Sequence, residues 1–341
     1  MSGASLELQR GQVLAFRRRA SALDTRLPAG AASLRRAAWA GLQDSVPRAA
    51  LLSLRARVEG IEPSTWEDPA LVQVWGPRFA AYVVPAQDHA LFTLSRMPES
   101  GSRRTFGMEI AERLDRFLEG RRMSYSEAGH AMGVNPNALR YGTLTGRLLI
   151  RWEGARRPLV WTVPQPQVSA HDARLEAARR YLRVFGPTSA DSFAAWLGVK
   201  PPVGRATFNE LEPSLVPVKT PIGDAWIRAE DEAALRASAE PPPAPARLLP
   251  SGDPFFLLWA KDRQLLVPDA ARRAELWTSR VWPGALLIDG EPVGTWRRDN
   301  AVLDISTWRT LSPAERGAVE AEAASLPLPG LEGRIVVRWL R

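Results

Sequence analysis

The chain contains no cysteine. Disulfides, thiolate metal sites and cysteine nucleophiles are therefore excluded. Histidine is nearly as scarce: His89, His130 and His171 stand far apart and form no metal-ligand spacing. Of the 45 basic residues only three are lysine, so the positive charge is almost wholly arginine. No apolar run approaches the roughly 18 residues of a membrane span. The start of the chain lacks an apolar segment of the signal-peptide kind, and Arg17-Arg18-Arg19 is misplaced for one. Glycine-rich phosphate loops, HExxH zinc sites and Ser-His-Asp elbows are missing as well. The expectation is a cytoplasmic, monomeric protein without metal or cofactor.

What is present points to a folded molecule with unevenly placed positive charge. A length of 341 residues leaves room for two to four modules, and 13 Trp with 10 Phe supply ample core. The net charge of +8 is unevenly spread. Residues 1–60 carry ten arginines against four acids, and residues 101–185 carry fifteen against eight, while the remainder is acidic. Two basic blocks suit a polyanionic partner such as a nucleic acid. The plainer alternative is that an arginine-rich composition leaves most of these side chains solvated or paired.

Along the chain, residues 7–23 read as an amphipathic helix. Ser33 opens a short helix through Trp39, Arg48 to Val58 has helical spacing, and Trp66 to Trp75 reads as a helix behind Ser64. Ala80 to Pro85 is a strand, and Ala86 to Leu94 is helical. After a boundary at Ser100-Gly101-Ser102 come three helices, the third capped by Asn135, and then two strands, Leu148–Trp152 and Pro158–Val163. This is the order of a winged helix-turn-helix. It recurs from Ala173 to Arg228, with Thr188-Ser189-Ala190-Asp191 capping the short middle helix. Beyond the proline linker Glu240–Pro245, Asp289-Gly290 marks a hairpin turn, and short strands with a helix capped by Ser312 suggest a small β-barrel. The predicted class is α+β, mostly helical. Its modules are residues 1–100 and 101–170, a third winged helix at 171–240, and a barrel at 241–341.

One stretch carries a resemblance: Gln43-Asp44-Ser45, followed by Pro47-Arg48. It resembles the catalytic loop of bacterial DNA glycosylases built from tandem winged helices and specialised for alkylated purines and interstrand crosslinks. That family writes Gln, an apolar residue, then Gln or Asp, with Pro-Arg soon after. Asn135-Pro136-Asn137-Ala138-Leu139-Arg140-Tyr141, Tyr181 to Leu197, Leu248 to Leu258 and Arg263 to Pro268 resemble its later modules. The resemblance implies a basic concave surface for DNA and an open site needing no tight base pocket. It also implies that Gln43 and Ser45 occupy the two catalytic positions, with Asp44 where the family places an apolar residue.

Chemically, an N7-alkylated purine is a cation whose glycosidic bond is already weak, so positioning a water and stabilising the sugar cation suffice. Two roles are open to the carboxylate. Gln43 orients a water with Asp44 as substitute base, or Asp44 or Ser45 caps the following helix. Either way the catalytic candidates are Gln43, Asp44 and Ser45. The DNA-contact candidates are Asn135, Asn137, Arg140, Arg147, Arg156 and Arg157 in the second module, and Arg17, Arg18, Arg48 and Arg55 as phosphate ligands. Asn135 has an N-cap as its alternative role. The activity implied is that of a monofunctional glycosylase with a degraded motif. The alternative is a non-catalytic DNA binder, a lesion shield or a transcriptional regulator.

Overall fold

The structure, a computed structural model, describes residues 6–154, 157–238, 243–259, 261–328 and 334–340. It is a mixed α+β arrangement in which helices and short strands alternate along the chain. Arg10–Ala20 is the first long helix, within the predicted 7–23 run, and it buries Val13, Leu14 and Phe16 along one face. Ahead of it, Leu6–Glu7 pairs in parallel with Leu215–Thr220, which pairs in turn with Gly223–Arg228. The chain's first strand therefore completes a sheet built more than two hundred residues later.

A six-stranded sheet lies at the centre. Its order is Leu42–Gln43, Ala81–Pro85, Leu71–Trp75, Leu148–Arg151, Leu159–Thr162 and Met123–Ser124. Leu71–Trp75 replaces the helix expected over 66–75. Asp68-Pro69 ends the turn Pro63–Glu67, and the Asp68 carboxylate accepts from the Ala70 N–H at 2.8 Å, redirecting the chain. The alternation of Val72 and Val74 around Gln73 then favours a strand. The short helix before the motif also differs from expectation: it spans Ala31–Ala37 and begins behind Gly30, not Ser33.

Residues 102–162 run as three helical segments and a hairpin: Ser102–Leu118, Tyr125–Ala131, Leu139–Gly142, then Leu148–Arg151 paired with Leu159–Thr162. Residues 170–228 repeat that order with Ala170–Phe185, Ala190–Leu197, Pro201–Leu211 and the hairpin ending at Arg228. Other caps form, unlike those expected at Ser33 and Ser64. Asn135 Oδ1 accepts from the Asn137 N–H at 2.9 Å, and the Ser189 and Ser312 hydroxyls each accept from an N–H three residues on.

The C-terminal strands form an open five-stranded sheet, not the expected barrel. Its order is Arg247–Leu249, Gly284–Ile288, Glu291–Asp299, Val302–Thr307 and Val336–Trp339, and no pairing joins the two ends among the described residues. The reason is the helix Pro313–Ala324. Its Val319 and Ala323 pack on Leu248, Leu286, Val293 and Ile305, so the apolar face is covered by a helix and not by its own far edge. The Asp289-Gly290 turn has φ of 50° and 75°, the left-handed pair that a two-residue hairpin needs.

One core cluster gathers Leu14, Tyr82, Leu149, Tyr181, Trp196, Phe256 and Leu287, residues from every part of the chain. A buried ion pair fastens the motif helix Ala49–Arg57 to the C-terminal part. Arg57 and Asp253 make two hydrogen bonds of 2.7 Å with side chains 1% and 0% exposed. Ser53 Oγ and the Phe255 N–H also donate to this carboxylate. Removing one partner leaves an uncompensated buried charge, so Asp253→Ala is expected to cost about 3–5 kcal/mol. The double variant Arg57→Met with Asp253→Leu is expected to recover most of that loss. Urea unfolding midpoints check both.

Candidate functional site

Gln43 ends the short strand at the edge of the central sheet, opposite Tyr82. The chain stays in register one residue further, with the Asp44 N–H donating to the Ala81 carbonyl at 2.8 Å. This alternation turns Asp44 inward and leaves Ser45 exposed. Gln43 is half-buried. Its Oε1 accepts from Arg78 Nη2 at 3.0 Å, and its Nε2 reaches Ser45 Oγ at 3.1 Å.

Asp44 is 0% exposed. One oxygen accepts from the Ala50 N–H at 3.0 Å in the first turn of the following helix, and the other accepts from Gln73 Nε2 at 2.7 Å. The capping role open to Asp44 is thus the contact made. Burial pushes its carboxyl up to about 7, and these two donors with the nearby Arg48 charge pull the other way. Gln73 is itself fully used, because its Oε1 accepts from the Trp152 N–H at 2.6 Å. A continuous hydrogen-bond chain therefore runs from the motif helix through Asp44 and Gln73 to the hairpin of residues 148–162.

Ser45 stands at the edge of a cleft of about 480 Å³ between this loop and that hairpin. Trp75, Phe79, Tyr125 and Trp152 supply aromatic walls, and Arg140 and Arg157 supply charge. The two sides touch: a Cβ on Gly154 would stand 2.6 Å from Pro47 Cβ. The guanidinium of Arg140 lies 5.5 Å from the Trp75 ring centroid, and that of Arg48 lies 4.1 Å from Trp66. Partly exposed arginine beside aromatic surface is a combination suited to backbone phosphate and base.

The structure brings Gln43, Asp44, Ser45, Arg48, Arg140 and Arg157 into one neighbourhood and disperses the other candidates. Arg17 corrects the expectation for the basic N-terminal helix. It is 1% exposed and donates to the Gly186 and Pro187 carbonyls. Arg18 is buried too, bound to Asp24 and to the Asp289 carbonyl. Neither has surface for a phosphate. Both lie on the stretch Val13–Arg18 that is enclosed by the fold, where carbonyls of distant segments and the Asp24 carboxylate take part of their donors. Arg55 donates to the Ser325 carbonyl at 3.0 Å, and Arg147 pairs with Asp115 at 2.5 Å, both partly exposed. Asn135 and Asn137 are exposed, the former engaged as a cap. Arg156 lies outside the described residues. No group of three or more acids and histidines positioned for a metal occurs among the described residues.

Sequence reading missed Gln73, Arg78 and Trp152. A polar residue set between two valines was the available signal for Gln73. For Arg78 it was the Gly76-Pro77 turn. Trp152 follows its strand as a single apolar residue and carried no signal.

The family model described as DNA glycosylase AlkZ-like matches residues 36–327. Among solved structures, the chain is similar to Streptomyces sahachiroi DNA glycosylase AlkZ with a TM-score of 0.78 at 18% identity, over 98% of this chain and 100% of that one. The likeness to that structure is one of fold. No curated protein sequence matches the chain.

The Asp44 environment sets a pH dependence. An ordinary carboxyl titrates at 3.8, whereas folded Asp44 holds its proton up to about 7. Between those values the folded state binds more protons than the unfolded chain. The contribution of this group to stability is therefore full below the lower value and is lost as pH rises through the upper one. Wild type is expected to lose roughly 2 kcal/mol more than Asp44→Asn on going from about pH 5 to about pH 8. Asn keeps an acceptor for the Ala50 N–H but does not ionise. Urea midpoints at the two pH values measure the difference.

Proposed function

The chain belongs to the AlkZ-like family of DNA glycosylases, and on that premise we propose that it is a glycosylase-like protein acting on bulky N7-alkylated purines or crosslinks in double-stranded DNA. The repeated order of three helical segments and a hairpin supports reading residues 101–170 and 171–240 as winged helices behind a first such unit at 1–100. In this reading Arg48, Arg140 and Arg157 take phosphates, and Asn137 reads an exposed base edge. The chain works without a cofactor.

The reaction needs little from the protein. Heterolysis sends the glycosidic electron pair to the cationic purine, which leaves neutral, and the sugar becomes an oxocarbenium ion. A water then adds at C1′ and loses a proton. The observation that carries the proposal is the Gln43–Ser45 pair at 3.1 Å, whose Ser45 borders an aromatic and basic cleft. Together these side chains position the water. Ser45 is a poor base, so the expected rate is low. Asp44 helps by shaping the loop, since a fully buried carboxylate does not meet a substrate water.

One observation favours a second reading. With Asp44 enclosed and serine at the second motif position, the loop presents no accessible carboxylate. A protein that binds the lesion without releasing it fits that fact. In the first reading wild type releases a bulky 7-alkylguanine from duplex DNA, Gln43→Ala lowers the rate at least tenfold, and Ser45→Asp raises it by about a hundredfold by supplying a general base. In the second reading no base is released, yet binding is tight and salt-dependent. Replacing Arg140 or Arg157 by alanine then lowers the logarithmic salt slope by about one each. Equal release by wild type and Gln43→Ala eliminates the catalytic reading.

A further inference from the structure

The turn joining Leu71–Trp75 to Ala81–Pro85 carries strain. Arg78 and Phe79 both have left-handed backbone angles, φ of 56° and 57°, where residues with a Cβ are disfavoured. Such conformations persist where surrounding contacts impose them, and they cluster at functional sites. For Arg78 the contacts come from three separate segments. Nη1 donates to the Trp196 carbonyl at 2.9 Å, and Nη2 donates to Gln43 Oε1 at 3.0 Å. The guanidinium lies 4.2 Å from the Trp259 ring centroid. Gly198 makes the room: a Cβ there would stand 3.0 Å from Arg78 Cγ and 3.1 Å from its Cα.

A guanidinium donates hydrogen bonds and accepts none. The Gln43 atom it meets is therefore the carbonyl oxygen, and the amide nitrogen is the atom turned toward Ser45. The Gln43–Ser45 contact alone would leave this open, because a hydroxyl both donates and accepts. We infer that Arg78 is a positioning residue that sets the polarity of Gln43, holding its carbonyl inward so that the loop presents amide N–H groups beside the Ser45 hydroxyl. The inference rests on the reading of this loop as the DNA-facing site, and it divides the labour there. The second Gln43 N–H donates to the oxygen of the water, and Ser45 Oγ accepts the water's proton side. An acceptor at position 45 then limits the reaction, and glutamine at position 43 holds and aligns the water.

The test reads Gln43 directly. In protein labelled with ¹⁵N in glutamine side chains, the Gln43 NH₂ resonances are the pair missing from Gln43→Ala. Arg78→Gln is expected to move that pair toward the position of a free carboxamide and to speed its exchange with water by about tenfold or more, the weight of one charge-assisted hydrogen bond. Arg78→Lys, a point donor in place of a fork, is expected to fall between. Arg103→Gln is the control and leaves the pair in place, since that guanidinium faces the Phe79 and Tyr141 rings. An unmoved Gln43 pair in folded Arg78→Gln overturns the inference; should that variant not fold, Arg78→Lys decides by the same criterion. Excision separates this inference from the proposed activity. Where wild type releases the base, Arg78→Gln lowers kcat about tenfold with KM unchanged and adds nothing to Gln43→Ala, and a wild-type kcat overturns the role. Where wild type releases none, the activity fails and the resonances still decide Arg78.

Discussion

A carboxylate without exposed surface holds the motif loop to the rest of the molecule. Asp44 binds the first turn of the helix behind it and, through Gln73, the backbone of Trp152 on the neighbouring hairpin. Both walls of the cleft therefore hang on one short chain of hydrogen bonds. Burial of such a group is tolerated because each oxygen has its own donor. Gln43 and Ser45 face outward because Asp44 faces inward; strand alternation permits no other arrangement. The catalytic question thus reduces to what two neutral side chains accomplish while the charged one between them serves architecture.

Local chemistry was legible wherever one residue type has one dominant use. Asp289-Gly290 made its turn, Ser189, Ser312 and Asn135 made their caps, and the repeated order of helices and hairpin appeared twice, because each depends on neighbours a few residues away. Leu71–Trp75 was misread because a short apolar run fits either a helix or a strand. The ladder with Ala81–Pro85 decides it, and the pairing of Gln73 with Ile150, 77 positions on, extends the sheet. The barrel failed for a related reason. Strand content was legible, but whether a sheet closes on itself depends on what else covers its apolar face, and the helix Pro313–Ala324 does so here.

Of the candidate site, proximity was legible and the engagement of its side chains was not. The motif frame located the loop, and Arg140 and Arg157 do border the cleft with Ser45. Arginine direction was not readable. Arg17 and Arg18 look like surface charge in sequence, yet both are buried and spend donors on carbonyls and a carboxylate of this chain. In a chain whose cations are nearly all arginine, the planar guanidinium also serves as internal cement. Net charge therefore overstates the positive surface available to DNA.

The parallel pairing of Leu6–Glu7 with Leu215–Thr220 bears on the order of assembly during synthesis. A ribosome delivers the first strand long before its partner exists, and the helix Arg10–Ala20 must wait with it. Phe16 meanwhile lacks Val218, Ala225 and Ile227, and Arg17 lacks the Gly186 and Pro187 carbonyls, that later enclose them. The nascent chain thus exposes a cationic, half-apolar helix until more than half of the polypeptide has emerged. Chaperones that favour such segments would find their target at the amino end, not in the middle.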